Sequence, residues 1–237
     1  MQILTQLIFS GIALGMIYAV IAFGYQLTFA TSGTLNFGQG EALMLGALVG
    51  LTTVNFMLGA SLGPLLGYLL MLPIVCLFGL AQGAVVEFLG VRQAMRTKSE
   101  AGWIMATIAL GIIFRNAAEI IWGRDGIKFP SPLPEAALSF GPVRVQPMEI
   151  AIVIGALLLM ALVELFNRRS IYGKAVVATA NDRDAAGLMG INTRAVITFS
   201  YALSSMAAAF AGVLVAPVSV MGATSTPAKA AAIEESA

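Results

Sequence analysis

Four hydrogen-bonding side chains lie close together in residues 32–41 (SGTLNFGQGE), at the entrance to an apolar run. Polar groups at membrane depth are costly unless they face a cavity, a partner or water, so such a cluster often marks a transport pathway. Its chemistry would be reversible hydrogen bonding to a passing solute. The alternative is a polar turn at the membrane surface whose carboxylate reaches cytoplasmic water, and the spacing does not separate the two. The candidate pathway residues are Ser32, Asn36, Gln39 and Glu41.

A second polar segment, residues 173–192 (GKAVVATANDRDAAGLMGIN), lies between two apolar runs and carries helix signals. Asn181 is predicted to cap a helix that starts at Arg183. Asp184 then lies in the first turn, where the helix dipole favours an acidic residue, and Gly190 suits a left-handed stop. A helix of about two turns is not stable alone, so lipid headgroups or another protein must hold it. Its predicted apolar face consists of Ala185, Leu188 and Met189.

The residue content argues against covalent, metal and nucleic-acid chemistry. Cys76 is the only cysteine and histidine is absent, so the chain has no disulfide framework and no Cys/His metal cluster. No glycine-rich phosphate loop occurs, so nucleotide energy would come from a partner chain. The formal net charge of +1 provides no basic patch for nucleic acid. We therefore expect a protein that is not an enzyme and has no cofactor of its own.

The composition points to a membrane. Of 237 residues, 59% are hydrophobic and 11% charged, against roughly 25% charged in an ordinary soluble domain. Because about 20 apolar residues cross a bilayer, the chain is predicted to be an all-α, polytopic transmembrane bundle with about six spans and a short cytoplasmic helix. The second span is short, and a broken or re-entrant segment is an alternative there. The predicted spans are 4–29, 43–58, 65–89, 103–122, 148–166 and 196–218.

Basic residues set the predicted orientation. They are absent before Arg92 and concentrate in residues 92–100 and after Phe166, which places both segments in the cytoplasm. The proline-rich loop 123–147 then lies outside, as does the amino terminus. Local ion pairs are expected between Glu87 and Arg92 and between Arg115 and Glu119.

Small residues recur four apart within the spans, which allows close helix packing either inside one subunit or at a dimer seam. These pairs are Gly11 and Gly15, Gly46 and Gly50, Gly63 and Gly67, Gly79 and Gly83, and Ala208 and Gly212.

Residues 17–47 and 173–192 together resemble the permease subunit of branched-chain amino-acid ABC importers. The resemblance rests on N-F-x-x-G-E at 36–41 and A-x-x-x-G-I-N at 186–192, and it covers roughly 7–221. It implies that 1–223 is an ABC-importer transmembrane permease domain in the bacterial inner membrane. The polar tail 224–237 departs from the family, whose members continue with about two more crossings of about 20 residues each.

The resemblance also implies partners. In that family two permeases, usually non-identical, form the pore, a periplasmic binding protein delivers the amino acid, and two cytoplasmic ATPases bind the ATP. Residues 173–192 correspond to the ATPase-docking element, with Ala185, Gly187, Leu188 and Met189 expected to pack into a groove on the ATPase. The coupling helix so assigned contains Asn181, Asp184, Ala185, Gly187, Leu188, Met189 and Gly190.

Three functional alternatives stay open on the sequence. The implied substrate is a branched-chain amino acid, but urea or a short amide would suit the same spans. An ATP-independent channel or secondary carrier would need protonatable groups at mid-membrane, where the chain offers chiefly Glu41 and Glu87. A non-transporting membrane scaffold is the third alternative.

Overall fold

The computed structural model of the protein describes residues 2–59, 64–96, 101–124, 129, 138–140 and 143–218. Within these residues six helices are long and apolar enough to cross a bilayer, which confirms the predicted all-α bundle and its six spans. The second span is an unbroken helix, and the tail 224–237 lies outside the described residues. The helices are α1 (Gln2–Ser32), α2 (Gln39–Gly59), α3 (Pro64–Val86), α4 (Arg92–Arg96), α5 (Gly102–Trp122), α6 (Pro147–Arg169), α7 (Ile171–Asn181), α8 (Arg183–Leu188) and α9 (Thr193–Val215).

Helix α9 is the centre of the bundle. Of its most apolar 18 residues 83% are buried, against 17% for α5, and α1, α2 and α3 pack around it. The sequence of α9 explains this position, because its alanines and serines let neighbouring backbones approach closely where lipid provides no hydrophobic drive for association. Its enclosed residues include Ser200, Tyr201, Ala207, Ala208 and Ala209.

Glycines on the neighbouring helices complete this close packing. A Cβ atom at Gly46 would overlap the backbone of Ala209, and one at Gly83 would overlap the backbone of Tyr201. Gly212 of α9 approaches the backbone of α2 equally closely. These glycines therefore pack inside one subunit, whereas Gly11 and Gly15 of α1 have no atoms of other elements within 4 Å of a Cβ position.

Substituting alanine at the close-packed and open glycines should change stability in opposite directions. Gly212→Ala places a methyl group against the backbone of Leu43 and should lower the free energy of unfolding by about 1–3 kcal/mol. Gly15→Ala meets open space and should raise helix stability by up to about 1 kcal/mol. Thermal unfolding in detergent measures both, and equal shifts would contradict the assignment of α9 as the tightly packed centre.

The long helices alternate in direction. At one end of the bundle the indole of Trp122, at the end of α5, donates to Thr52 near the end of α2 (2.7 Å). At that same end Ser10, near the start of α1, donates to Glu149 in the first turn of α6 (2.5 Å). The opposite end holds α7, α8 and the start of α9. With the basic residues on the cytoplasmic side, this alternation agrees with an external amino terminus.

The third span continues beyond its predicted end at residue 89. Helix α3 passes into a π-helical turn, Glu87–Val91, in which the backbone N–H of Arg92 donates to the carbonyl of Glu87, and α4 follows. The first part of the predicted basic turn is therefore helical. Arg, Gln, Ala and Met are good helix formers, so the helix outlasts the apolar stretch that defined the span.

A small hairpin occurs in the proline-rich loop that was predicted to lie outside, and the sequence did not predict its strands. Strands β1 (Leu138–Phe140) and β2 (Val143–Val145) pair antiparallel, with Ser139 opposite Arg144. Both triplets alternate apolar and polar residues on either side of a Gly-Pro turn signal, a pattern typical of a hairpin.

Candidate functional site

The predicted pathway residues lie in and beside the turn between α1 and α2. Ser32 ends α1, Asn36 lies in the turn and Gln39 begins α2, and all three are buried. Gly33 adopts a positive φ of 67°, which lets the chain reverse, and the Oδ1 of Asn36 accepts from the N–H of Gly38 (3.1 Å). The fold therefore brings these three residues together inside the protein, away from the bulk water that a surface turn would contact.

Hydrogen bonds tie this turn to the central helix. The hydroxyls of Ser32 and Thr34 share a hydrogen bond (2.5 Å), and Thr34 shares another with the phenol of Tyr201 on α9 (2.7 Å). Thr34 and Tyr201 are both buried. Neither residue was predicted from the sequence, although Thr34 lies between Gly33 and the motif at 36–41.

Three buried polar side chains with unused hydrogen-bonding capacity lie in the turn, at the start of α2 and on α9. The amide nitrogen of Gln39 makes two long hydrogen bonds, to the carbonyl oxygens of Ile21 (3.4 Å) and Ser204 (3.5 Å). Within the described residues, the Oε1 of Gln39, the Oγ of Ser204 and the Nδ2 of Asn36 lack a partner. Gly24 makes room, because a Cβ there would overlap the Gln39 amide. We call Asn36, Gln39 and Ser204 the polar junction.

Glu41 occupies a different environment from the other pathway candidates. It is half-buried in the first turn of α2, and its carboxylate carbons and oxygens lie beside Gly111 of α5, about 3.3 Å from where a Cβ would stand. It has no ion-pair partner within the described residues. Its carboxylate is therefore set against a neighbouring span instead of joining the polar junction.

The segment that was predicted to lie in the cytoplasm forms two helices, where the sequence predicted one. Helix α7 runs through Asn181, and α8 begins at Arg183 as predicted. The predicted cap is wrong: Asn181 is the last residue of α7, and the carboxylate of Asp182 accepts from the N–H groups of Asp184 and Ala185 (both 2.9 Å). Asp182 has the extended backbone that a cap requires (φ −154°, ψ 111°).

The reason for the misplaced cap is that α7 was not foreseen. Its buried residues Gly173, Val176 and Thr179 recur every three residues, and Ser170 caps it by accepting from the N–H of Tyr172 (3.2 Å). The predicted stop after α8 is confirmed, since Gly190 has a φ of 86°.

Helix α8 presents an unusually exposed apolar face. Leu188 is 90% exposed and Met189 83% exposed, and Ala185 and Gly187 are also exposed. Only Ala186 of this helix is buried, which anchors it to the rest of the protein. The exposed apolar face of α8 is therefore free of intramolecular cover and is available for contact with a partner or with lipid.

One hydrogen bond joins α8 directly to the membrane helices. The guanidinium of Arg183 donates to the carbonyl oxygen of Thr31 in the last turn of α1 (2.9 Å). Thr31 directly precedes Ser32 and lies at the start of the turn that carries the pathway candidates. Arg183 is thus a direct polar contact between α8 and the end of α1.

The similarity of the chain to known proteins is consistent with this arrangement. The profile of the family described as branched-chain amino acid transport system, permease component, matches residues 7–230. The chain belongs to this family. It is a multi-pass membrane permease, because the family match coincides with six helices that are suited to span a bilayer. No solved structure matches the permease at a significant level.

Curated relatives of the permease cover most of its length. The high-affinity branched-chain amino acid transport system permease protein LivH of Escherichia coli (strain K12) is 31% identical over 219 residues, which is 88% of this chain and 69% of LivH. The corresponding protein BraD of Pseudomonas aeruginosa is 27% identical over 215 residues, again 88% and 69%. The galactofuranose transporter permease protein YtfT of E. coli (strain K12) is 29% identical over 199 residues, 84% of this chain and 52% of YtfT.

Two further acidic residues of the permease, Glu87 and Glu119, form ion pairs. Glu87 is buried and accepts two hydrogen bonds from Arg92 (3.1 and 2.9 Å), as expected, and a third from Thr198 of α9 (2.8 Å). The expected partner of Glu119 is wrong, because its carboxylate pairs with Arg124 (3.0 Å). Arg124 follows the end of α5, where the chain turns back and brings its side chain within reach.

The new cap assignment predicts different effects for two adjacent substitutions. Asp182→Ala removes the acceptor of two backbone N–H groups and should destabilise α8 by about 0.5–2 kcal/mol. Asn181→Ala replaces an exposed helical residue with the best helix former and should leave α8 unchanged. Hydrogen exchange of the amides in α8 measures the difference. Faster exchange in Asn181→Ala than in Asp182→Ala would restore the original assignment.

Proposed function

We propose that this permease is the transmembrane subunit of an ATP-driven importer for branched-chain amino acids, in which α8 couples a cytoplasmic ATPase to the turn between α1 and α2. The observation that carries the proposal is the hydrogen bond from Arg183 to Thr31, because it joins the exposed cytoplasmic helix to the segment containing the pathway candidates. The family match and the named substrates of LivH and BraD support the transport role and the substrate class.

The proposed partners follow from the two exposed sides of the chain. Cytoplasmic ATPases would bind the apolar face of α8 and supply the ATP, since the sequence has no phosphate loop. A second permease, non-identical as the family resemblance implies, would complete the pore, and a periplasmic binding protein would deliver the amino acid. The bilayer would be the bacterial inner membrane. We assign residues 1–223 to the permease domain and 224–237 to a separate tail.

The proposed pathway uses hydrogen bonding without bond-making chemistry, so the permease is not an enzyme. An amino acid carries an ammonium and a carboxylate, which the amide and hydroxyl groups of the polar junction could bind in turn. Ser32 would hold the turn in shape and Glu41 would line the adjoining space towards α5. Apolar spans suit an aliphatic side chain. Buried polar atoms without partners support this role, because in a membrane interior such atoms are expected to face a solute or water.

The mechanism is alternating access between two global states. ATP-driven closure of the ATPases would move α8, and Arg183 would carry that movement to the end of α1. The polar junction lies in and beside the turn between α1 and α2. A shift of the turn would therefore change the side of the membrane that the polar junction faces. Such coupling requires that ATP and substrate stabilise the two states differently.

A sugar is the second substrate class with an observation in its favour. The relative YtfT is named as a galactofuranose transporter permease, and the amides and hydroxyl of the polar junction would also hydrogen-bond sugar hydroxyls. Competition of labelled leucine uptake by unlabelled leucine, urea and galactose in proteoliposomes separates the classes. Inhibition by galactose or urea but not by leucine would overturn the amino-acid assignment.

Docking is tested by placing a charge on the exposed face of α8. Leu188→Glu should reduce co-purification of the ATPase by about tenfold or more, the effect typical of a central contact residue. Ile171→Glu is the matched control, because Ile171 is nearly as exposed (83%) but lies at the start of α7. Equal ATPase recovery with both variants would remove α8 as the docking site. Uptake that ignores ATP would favour a channel or secondary carrier.

Coupling is tested at Arg183. Arg183→Ala should leave the ATPase bound and hydrolysing but should lower amino-acid uptake about tenfold, since a hydrogen bond from a charged group is lost. Arg183→Lys should restore part of the uptake, because it keeps a charged donor. Arg168→Ala, an exposed arginine paired with Glu164, is the control. A parallel loss of hydrolysis and uptake would indicate a folding defect and would contradict the coupling role.

The pathway assignment is tested at Glu41. Glu41→Gln keeps the side-chain volume but removes the charge, and we expect about a tenfold lower uptake, with normal expression and ATPase binding, if the carboxylate faces the solute. Glu164→Gln serves as control because this carboxylate is exposed on α6 and paired with Arg168. Wild-type uptake by Glu41→Gln would return Glu41 to the interpretation of a residue at the membrane surface.

A further inference from the structure

An open pocket of about 620 Å³, with both charged and apolar lining residues, lies at the start of α9, outside the candidate pathway. Its charged and polar lining comes from Arg92, Asn192, Arg194 and Thr198, and Phe199 closes one side. Positive-inside orientation places this pocket at the level of the cytoplasmic headgroups. An anion of headgroup size would therefore meet two guanidinium groups there.

An apolar groove of about 420 Å³ runs into the membrane between α3 and α6, with α9 as its floor. Every residue that lines it is apolar or is Cys76, and the floor is formed by Phe199, Leu203, Met206 and Phe210. These positions are spaced by three or four residues, so they occupy one face of α9. The groove thus runs along a single apolar face of α9.

The pocket and the groove adjoin at Phe199, which lines both. The ring of Phe199 lies 5.8 Å from Phe166 and 6.0 Å from Tyr172, which makes an aromatic cluster at the boundary. Aromatic side chains concentrate at this depth in membrane proteins. From Phe199 to Phe210 the helix rises roughly 16 Å, about half of the hydrocarbon core and hence one leaflet.

The two arginines that line the pocket differ in their partners. Arg92 is already compensated by Glu87 and also donates to Thr198 (3.1 Å). Arg194 is exposed and has no ion-pair partner within the described residues. It lies in the first turn of α9, where the helix dipole adds positive potential. Arg194 therefore gives the pocket, which we call the mouth of the site, an uncompensated positive charge.

We propose that the adjoining pocket and groove together bind one anionic phospholipid of the cytoplasmic leaflet, with its phosphate against Arg194 and an acyl chain that passes Phe199 and lies along α9. Basic residues at the membrane surface attract anionic lipids, and basic pockets between spans hold their headgroups. An apolar helix of another subunit would cover the groove but would leave the arginine without a counter-ion. The charge at the mouth thus favours a lipid over a helix as the occupant.

A tryptophan reporter tests occupancy in the full chain. The Phe199→Trp variant is reconstituted in vesicles of phosphatidylcholine with a minor share of phosphatidylglycerol. In one preparation the phosphatidylcholine is brominated on its acyl chains, and in the other the phosphatidylglycerol is. Quenching beyond that of the parent protein, which contains Trp103 and Trp122, reports lipid in the groove. We expect brominated phosphatidylglycerol to quench about fivefold more, per lipid present, than brominated phosphatidylcholine, a factor that corresponds to ~1 kcal/mol for one basic residue.

Charge variants in the same reporter show whether Arg194 selects the lipid. Arg194→Gln should abolish the preference for phosphatidylglycerol, whereas Arg168→Gln, which removes the same charge from an exposed site on α6, should keep it. Equal quenching by both lipids, per lipid present, in the Phe199→Trp variant that keeps Arg194 would overturn the proposal. Absence of quenching by either lipid would also overturn it, because the groove would then be covered by protein. Displacement by inorganic phosphate would identify a phosphate site instead of a lipid site.

Discussion

Close contact between helix backbones at α9 is the constraint on which the rest of this permease depends. Lipid gives apolar helices no reason to associate, so association relies on dispersion contacts that only short side chains permit. The glycines of α2 and α3 and the alanines of α9 meet this requirement from both sides. The same closeness places Ser204 and Tyr201 against the turn between α1 and α2. The polar junction is therefore a consequence of how tightly α9 is held.

The sequence predicted the spans well because hydrophobic length is a local property. It also located α8 and its glycine stop, which depend on neighbouring residues. It misplaced the cap because α7 is amphipathic and contains many alanines, so its start had no apolar run to mark it. The centrality of α9 was not predictable, since alanine and serine content looks the same in a buried span as in a moderately polar one. Thr34, Tyr201 and Ser204 became visible only when distant helices were brought together.

Three arginines at the end of the bundle that carries α8 differ in their hydrogen-bond partners. Glu87, Arg92 and Thr198 form a compensated cluster that fixes α3 against α9. Arg183 forms a single polar contact with α1, which the proposed coupling would break and re-form. Arg194 has no ion-pair partner within the described residues, as the proposed lipid site requires. Compensated charges stabilise one geometry, whereas single hydrogen bonds and free charges respond to partners, so the same residue type serves structure, coupling and recognition according to its surroundings.

The π-helical turn at Glu87–Val91 changes the direction in which side chains point around the axis of the third span. A π turn holds one residue more than an α turn, so side chains beyond it are rotated by about 100° relative to an uninterrupted α-helix. Before the turn, Gly79 and Gly83 face α9, and after it Arg92 still reaches Thr198 on the same helix. A regular helix would have turned that arginine away towards lipid. One extra residue thus lets a single span serve both apolar packing in the membrane and ionic packing at its surface.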